Sequence, residues 1–201
     1  MTAGADPFLK GRLFYLRPVR RTDYDAVMTR WLSDRTVTRF LSRGTFPQTT
    51  EQLSRQYDQL ITSSSDIEFT IALTENDAAI GVVGLHSMSW IARHAELRIL
   101  IGERQSWRQG IGTEACQLIC SYGFEVLNFQ KVWLGVSAGN LAALTAYRLS
   151  GFQEEGRLRN ELFRNGRYYD VVRMSMLEAE YRTHSPNWPC ASLIAEQLRN
   201  E

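Results

Sequence analysis

The sequence predicts a mixed α/β fold, a single-layer sheet with helices on its faces. Three observations lead there. Short apolar runs of strand length give way to stretches of helical period. Two of those helices each link one strand to the next, as crossovers between parallel strands do. An Asn-Gly turn joins two long strands near the end. The 201 residues, 44% hydrophobic and 22% charged, fit one domain that buries a sizeable core without staples.

Residues 13–19 (LFYLRPV) form a short apolar run closed by proline, hence a strand at an edge or end. Residues 22–34 read as a helix. Thr22 and Asp25 resemble a capping box, and Tyr24, Val27, Met28, Trp31 and Leu32 make one apolar stripe. After the polar stretch SRGTFPQTT a second helix spans 50–62, and SSSD is a loop. Residues 69–73 and 79–85 are strands around a TENDA turn, and 95–101 (AELRILI) is the fourth strand.

The period then changes. Ile111, Ala115, Leu118, Tyr122 and Val126 share one face of a long helix over 110–127. Residues 131–136 (KVWLGV) are the fifth strand, and 141–149 is a helix stopped at Gly151. Residues 152–163 and 167–177 are strands joined through Asn165-Gly166. The tail over 183–189 reads as irregular, and 191–199 as a final short helix.

Lys and Arg total 23 against 22 Asp and Glu, a net charge of +1, which excludes a nucleic-acid binder held by bulk charge. Cys116, Cys120 and Cys190 form no CxxC or Cys/His ligand spacing, so no metal site is expected and a reducing cytoplasmic setting is. No window has the apolar length of a signal peptide core or a membrane span, so no membrane association is expected.

RQSWRQGIGTEA, residues 104–115, follows a strand and opens the long helix. Such a helix start presents free N–H groups, and Gly110 and Gly112 remove side chains that would keep a phosphate away. A glycine loop that merely turns the chain is the competing reading. A dinucleotide fingerprint is disfavoured, because ERQSWRQ separates strand from glycines and KVWLGV ends without an acid. A Walker A loop is excluded, since no GK[ST] follows.

Four segments together resemble the GCN5-related N-acetyltransferases, in the branch of ribosomal-protein, spermidine and nucleotide-amino-sugar acetyltransferases. They are LRPVRRTDYDAV, AELRILIGERQSWRQGIGTEA, the run from Asn140 to Phe152, and EEGRLRNELFRNGRYYDVVRMSML. The resemblance runs over residues 8–181 and leaves 182–201 as a C-terminal extension. It implies a mostly antiparallel sheet of six or seven strands, splayed between the fourth and fifth, with about four helices.

The family's pyrophosphate loop, Arg/Gln-x-x-Gly-x-Gly/Ala, falls on residues 107–112, with Trp107 where many members carry Arg or Gln. By resemblance, acetyl-CoA is the cosubstrate. Its pantetheine arm would lie against Ile99, Leu100 and Ile101. Its pyrophosphate would take N–H groups of Arg108, Gln109, Gly110, Ile111, Gly112 and Thr113. NLAALTAYRLSGF resembles the signature N-x-x-A-x-x-x-Y-x-x-x-G-F on Asn140, Ala143, Tyr147, Gly151 and Phe152. Asn140 is also a plain N-cap, and helps hold the arm in the family. Tyr147, nearly two turns on and on the same face, is the acid that protonates the departing thiolate.

The base is left open between Glu96, His86 and water. Glu96 matches an acid of many relatives, and its competing reading is a surface carboxylate paired with Arg98 or Arg93. Trp31, Trp90, Phe163, Tyr168 and Tyr169 read as core. The acceptor side is expected around Asp34, Arg35, Phe40, Arg43, Phe46, His86 and the Asn165 hairpin, with His86, Arg43 and Phe46 as substrate-binding residues. The arginines of SDRTVTRFLSRGTF lean towards an anionic acceptor, such as a nucleotide-linked amino sugar, or a peptide, and away from spermidine. The expected function is acetyl transfer from acetyl-CoA to a primary amine by direct attack. N-terminal acetylation of a protein, or a CoA-binding, self-associating module without turnover, are the alternatives. Leu193, Ile194 and Leu198 share a helical face that either folds back on its own domain or packs on a second copy, and of the two a two-fold homodimer is the favoured expectation.

Overall fold

Residues 7–198 are described by the computed structural model. Eight strands form its sheet: β1 (Leu9–Lys10), β2 (Phe14–Pro18), β3 (Ile67–Leu73), β4 (Ala79–Ser89), β5 (His94–Ile101), β6 (Lys131–Ser137), β7 (Gln153–Arg164) and β8 (Arg167–Leu177). Their order is β1-β2-β3-β4-β5-β6-β8-β7. The six α-helices are α1 (Thr29–Ser33), α2 (Thr50–Ile61), α3 (Ile111–Ser121), α4 (Leu141–Leu149), α5 (Glu178–His184) and α6 (Ala191–Leu198). The fourth and fifth strands of the sequence reading are therefore β5 and β6.

Most expected elements are in place, and the differences have causes. β1 adds an eighth strand; two residues are too few to show a period. The expected capping box at Thr22 does not form, because Thr22 is already helical. A π-helical turn (Asp23–Met28) leads into α1, and Asp23 at its start accepts from Arg17 and the Arg20 amide. The real box lies on α2, where Thr49 and Gln52 satisfy each other's amides. The helix over 110–127 divides into α3 and a π-helical turn (Tyr122–Val126). α5 was missed, although acids in its first turn and Arg182 and His184 in its last suit the helix dipole. The expected last residue of α6, Arg199, lies outside the described residues.

β5 and β6 are the parallel pair, joined through α3. The second parallel neighbour expected across α4 is absent. The Asn165-Gly166 turn, with φ of 52° and 77°, folds β8 back between β6 and β7.

Each face of the sheet carries its own apolar layer. The larger packs α3 and Leu144 of α4 against alternating strand residues, among them Ile71, Val83, Leu97, Leu134 and Met174. Tyr181, Trp188, Cys190 and Ile194 belong to it, so this part of the tail folds onto its own domain. The smaller gathers Tyr24, Met28, Trp31, Leu32 and Leu53 over Val82. The three cysteines are free and buried; burial pushes Cys116 up to about 12 and Cys190 to about 11, so both stay neutral thiols.

A buried charge cluster fixes the β2 end of the sheet. Arg17, 2% exposed, holds Asp23 with two guanidinium nitrogens, at 2.7 and 3.2 Å, and reaches Asp77 at 3.1 Å. Burial opposes ionisation of Asp77, but donors from Tyr15, Arg20 and Arg17 overcome it and hold its pKa at about 2. A depressed carboxylate pKa stabilises the fold above the ordinary value of 3.8, and that contribution fades as pH falls towards about 2. Asp77→Asn is therefore expected to melt below wild type at pH 7, with the gap closing between pH 4 and pH 2. Equal melting temperatures at neutral pH would remove Asp77 from the account.

Candidate active site

β5 and β6 pair only at His94↔Lys131, Ala95↔Val132 and Glu96↔Trp133. Beyond Glu96 each keeps its other neighbour. β5 stays on β4 as far as Gly81↔Ile101, and β6 stays on β8 as far as Ser137↔Val171. A wedge opens between them, lined by strand backbone with one free side. Gly102 N–H donates to Ile80 O on the β4 side, so period-two alternation turns Leu100 to β4 and Ile99 and Ile101 into the wedge. The Ile101 carbonyl already accepts from Trp107 Nε1 at 2.9 Å. Ile99 and the Ile101 amide are thus left for an extended polar ligand, and Leu100 contributes its side chain to the smaller apolar layer instead.

The glycine turn stands at the mouth of this wedge. Gly110 caps α3 with φ of +80°, a conformation that favours glycine, and Arg108 is also left-handed at 62°. A merely turning loop accounts for Gly110. It does not account for Gly112, whose φ is ordinary and where an added Cβ would meet only Ile101 Cγ1, at 3.8 Å. The space above Gly112 suits an approaching anion. The amides of Ile111, Gly112 and Thr113 precede the first helical bond, Glu114 N–H to Gly110 O at 3.0 Å, and are free to donate to it.

α4 borders the other side. Asn140 caps it, its Oδ1 accepting from Ala143 N–H at 3.2 Å. Tyr147 is half-buried against the larger layer beside Phe152, at a ring separation of 6.0 Å. Burial, then the nearby Cys116 thiol, push the phenol above its ordinary value. The phenol therefore stays protonated at neutral pH.

On the opposite face of the sheet, Glu96 accepts from Arg98 Nη2 at 2.6 Å, the pairing its surface reading anticipated. His86 stands opposite it across β4 and β5 but is only 7% exposed. Its Nδ1 faces Asp66 Oδ1 at 3.2 Å, and its Nε2 lies 3.6 Å from Glu68 Oε2. His86 is thus clamped between carboxylates rather than lining an open surface, which departs from its expected role as a substrate contact. Arg43 donates to Gln56 Oε1 at 2.7 Å, and Phe46 projects with 76% exposure.

Comparison with known proteins agrees with this geometry. Residues 13–153 match the acetyltransferase (GNAT) domain. The chain belongs to the GNAT acetyltransferase family. Spermidine N(1)-acetyltransferase of Escherichia coli K12 is 35% identical over 130 residues, 65% of this chain and 68% of that one. A putative ribosomal N-acetyltransferase of Bacillus subtilis is 33% identical over 101 residues, 50% of this chain and 55% of the other. The crystal structure of the Vibrio cholerae spermidine N-acetyltransferase with CoA and spermine superposes with a TM-score of 0.79 at 28% identity. That match covers 86% of this chain and 99% of the other.

This GNAT enzyme transfers acetyl from acetyl-CoA to the nitrogen of an amine. The wedge, the open space over Gly112 and the free α3 amides fit the cosubstrate. Sequence reasoning missed Glu68, a carboxylate 8% exposed on β3 that accepts from Tyr24 Oη at 2.5 Å. The isolated charge in the apolar run IEFTIAL was its only signal. Burial opposes its ionisation, but His86 and Tyr24 hold its pKa below the ordinary value. Among the aromatics read as core, Trp31 is 2% exposed, whereas Trp90, in the β4–β5 turn, and Phe163 and Tyr168, at the β7–β8 hairpin end, are more than half exposed. Among the described residues, no helix is long and apolar enough to cross a membrane, and no acid, His and Cys group is arranged to hold a metal.

Proposed function

We propose that the acceptor is a small primary amine on an anionic scaffold, of the class of nucleotide-linked amino sugars. The observation that carries this reading is the charge around the acceptor side. Glu96 pairs with Arg98, Glu103 with Arg30, and Glu68 lies between Tyr24 and His86. These three carboxylates are thus occupied within the chain. Arg35 and Arg39, on the α1–α2 loop, form no ion pair among the described residues, and Arg39 stacks on Phe40; Arg43, on the same loop, bonds the Gln56 amide and also faces Tyr24 and the Glu68 carboxylate. Arg164 of β7 anchors that loop through Thr38 O at 2.9 Å and Thr45 Oγ1 at 2.8 Å, so guanidinium groups flank a fixed rim.

In this reading the bound cosubstrate supplies an activated acetyl thioester. Backbone N–H groups of Ile99 and Ile101 orient and polarise it, and the α3 amides hold its pyrophosphate. The amine must lose a proton to attack, and Glu96 takes it directly or through water. Arg98 occupies Glu96 Oε2, leaving Oε1 to accept. Tyr147 protonates the departing thiolate, and Asn140 helps to hold the pantetheine arm. Arg43 and Phe46 flank the acceptor. Residues 8–181 carry the catalytic unit and 182–201 an extension. The enzyme works in the cytoplasm, where its three thiols remain reduced. The open outer edge of β7 offers two copies a place to pair.

The printed activities of the spermidine relatives favour a second reading, a polyamine acceptor. A panel of a nucleotide-linked amino sugar, an N-terminal peptide and spermidine, each with acetyl-CoA and scored by free thiol, separates them. Saturable release with the anionic amine is expected. Release with spermidine alone would replace this reading with the polyamine one, and release with the peptide alone with N-terminal acetylation.

A further inference from the structure

We propose that Glu103 is a positioning residue for acetyl-CoA, acting through a latch to Trp31 that sets the course of the pyrophosphate loop. This rests on the reading of residues 108–113 as the pyrophosphate site.

The loop leaves β5 at Gly102. Trp31, buried on α1, lies flat against that glycine; a Cβ there would come within 2.0 Å of the indole ring. Trp31 Nε1 donates to Glu103 Oε1 at 2.8 Å, and Arg30 on the same helix pairs with that oxygen. Ile80 O accepts from both Gly102 N–H and Glu103 N–H, at 2.9 and 3.1 Å. Glu103 O then accepts from Ser106 N–H at 3.0 Å, closing a 3-10 turn (Arg104–Ser106). Trp107 Nε1 returns to Ile101 O, and the chain enters its two left-handed residues, Arg108 and Gly110.

Every link between α1 and the phosphate-facing amides is therefore a packed or hydrogen-bonded contact, with Glu103 at the junction. α1 lies on the acceptor face of the sheet and α3 on the cofactor face, so the latch spans the edge between them. Without it, the loop would have to be ordered when the ligand binds, and the ordering cost would appear as weaker binding. The reacting atoms lie elsewhere, at the wedge, so saturated turnover should be spared.

The test compares Glu103→Ala, which removes both contacts, with Glu103→Gln, which keeps an oxygen for the indole N–H. Trp31→Phe keeps an aromatic ring beside Gly102 and removes the donor together with part of the indole's bulk, and serves if Glu103→Ala does not fold. Calorimetric Kd for CoA and KM for acetyl-CoA are expected to rise about tenfold in Glu103→Ala and Trp31→Phe. kcat should stay within about twofold, and Glu103→Gln should bind like wild type. Wild-type affinity in folded Glu103→Ala and Trp31→Phe would overturn the latch. So would a fall in kcat without a change in KM, or no rescue by Gln. Gly112→Asp, which puts bulk and negative charge at the anion site, is run alongside. If it binds CoA normally, the loop reading itself fails. If it loses CoA while the latch variants do not, only the latch fails.

Discussion

Tyr147→Phe is expected to lower kcat by roughly 10²-fold while leaving acetyl-CoA affinity nearly unchanged. The substitution removes one hydroxyl and keeps the ring that packs against the larger layer and Phe152. Stability should therefore hardly change, and a loss of rate reports on the proton. Burial and the Cys116 thiol raise the phenol above its ordinary value of 10. The protonated form thus persists wherever a free tyrosine would still be protonated, and wild-type rate should not decline through Tyr147 as pH approaches 10. Single-turnover measurements at saturating acetyl-CoA, from neutral to alkaline pH, provide the check. Wild-type turnover in the Phe variant would return Tyr147 to a packing role.

Truncation after Tyr181 is expected to remove cooperative folding or to lower Tm by more than about 10 °C. Trp188, Cys190 and Ile194 occupy the larger core at 7%, 0% and 2% exposure, and Tyr181 packs against Trp188 with rings 5.6 Å apart. Losing the burial of Trp188 and Ile194 costs about 2–3 kcal/mol each, before counting the cavity left behind. That is a large share of a typical stability of about 5–15 kcal/mol, and each kcal/mol moves Tm by about 2–4 °C at this size. Gln197 also bonds both the amide and the carbonyl of Lys10, tying α6 to β1. Trp188→Ala, milder than truncation, should melt between the truncated and full-length chains. A truncated chain with an unchanged calorimetric transition would show that the extension is dispensable.

Local chemistry was enough to place most elements and the glycine turn that opens α3. α4 and β8 span the residues their periods and turns predicted, because a glycine at Gly151 and an Asn-Gly turn end them by backbone conformation alone. Gly110 and Gly112 were legible as a helix-start turn from their place in one loop, and Asn140 and Tyr147 as positions of the family signature they resemble. His86 was not. Whether a lone histidine faces a ligand or is clamped by acids depends on Asp66 and Glu68, about twenty residues away on the neighbouring strand and its loop.

The tail shows the same division. Its apolar face was visible in the sequence as Leu193, Ile194 and Leu198. What covers that face was decided by long-range packing, with Cys190 meeting Gln117 of α3 and Gln197 meeting Lys10. The sequence by itself determined most of the strands and helices, the hairpin and the glycine-bearing turn, since each rests on a period or a backbone torsion. The tertiary structure alone decided the β8 insertion beside β6, the divergence of β5 from β6, the Arg17–Asp77 cluster and the Trp31–Glu103 latch. Each of these joins residues dozens of positions apart, and such pairings are chosen by burial and charge satisfaction across the whole fold, which no local window contains.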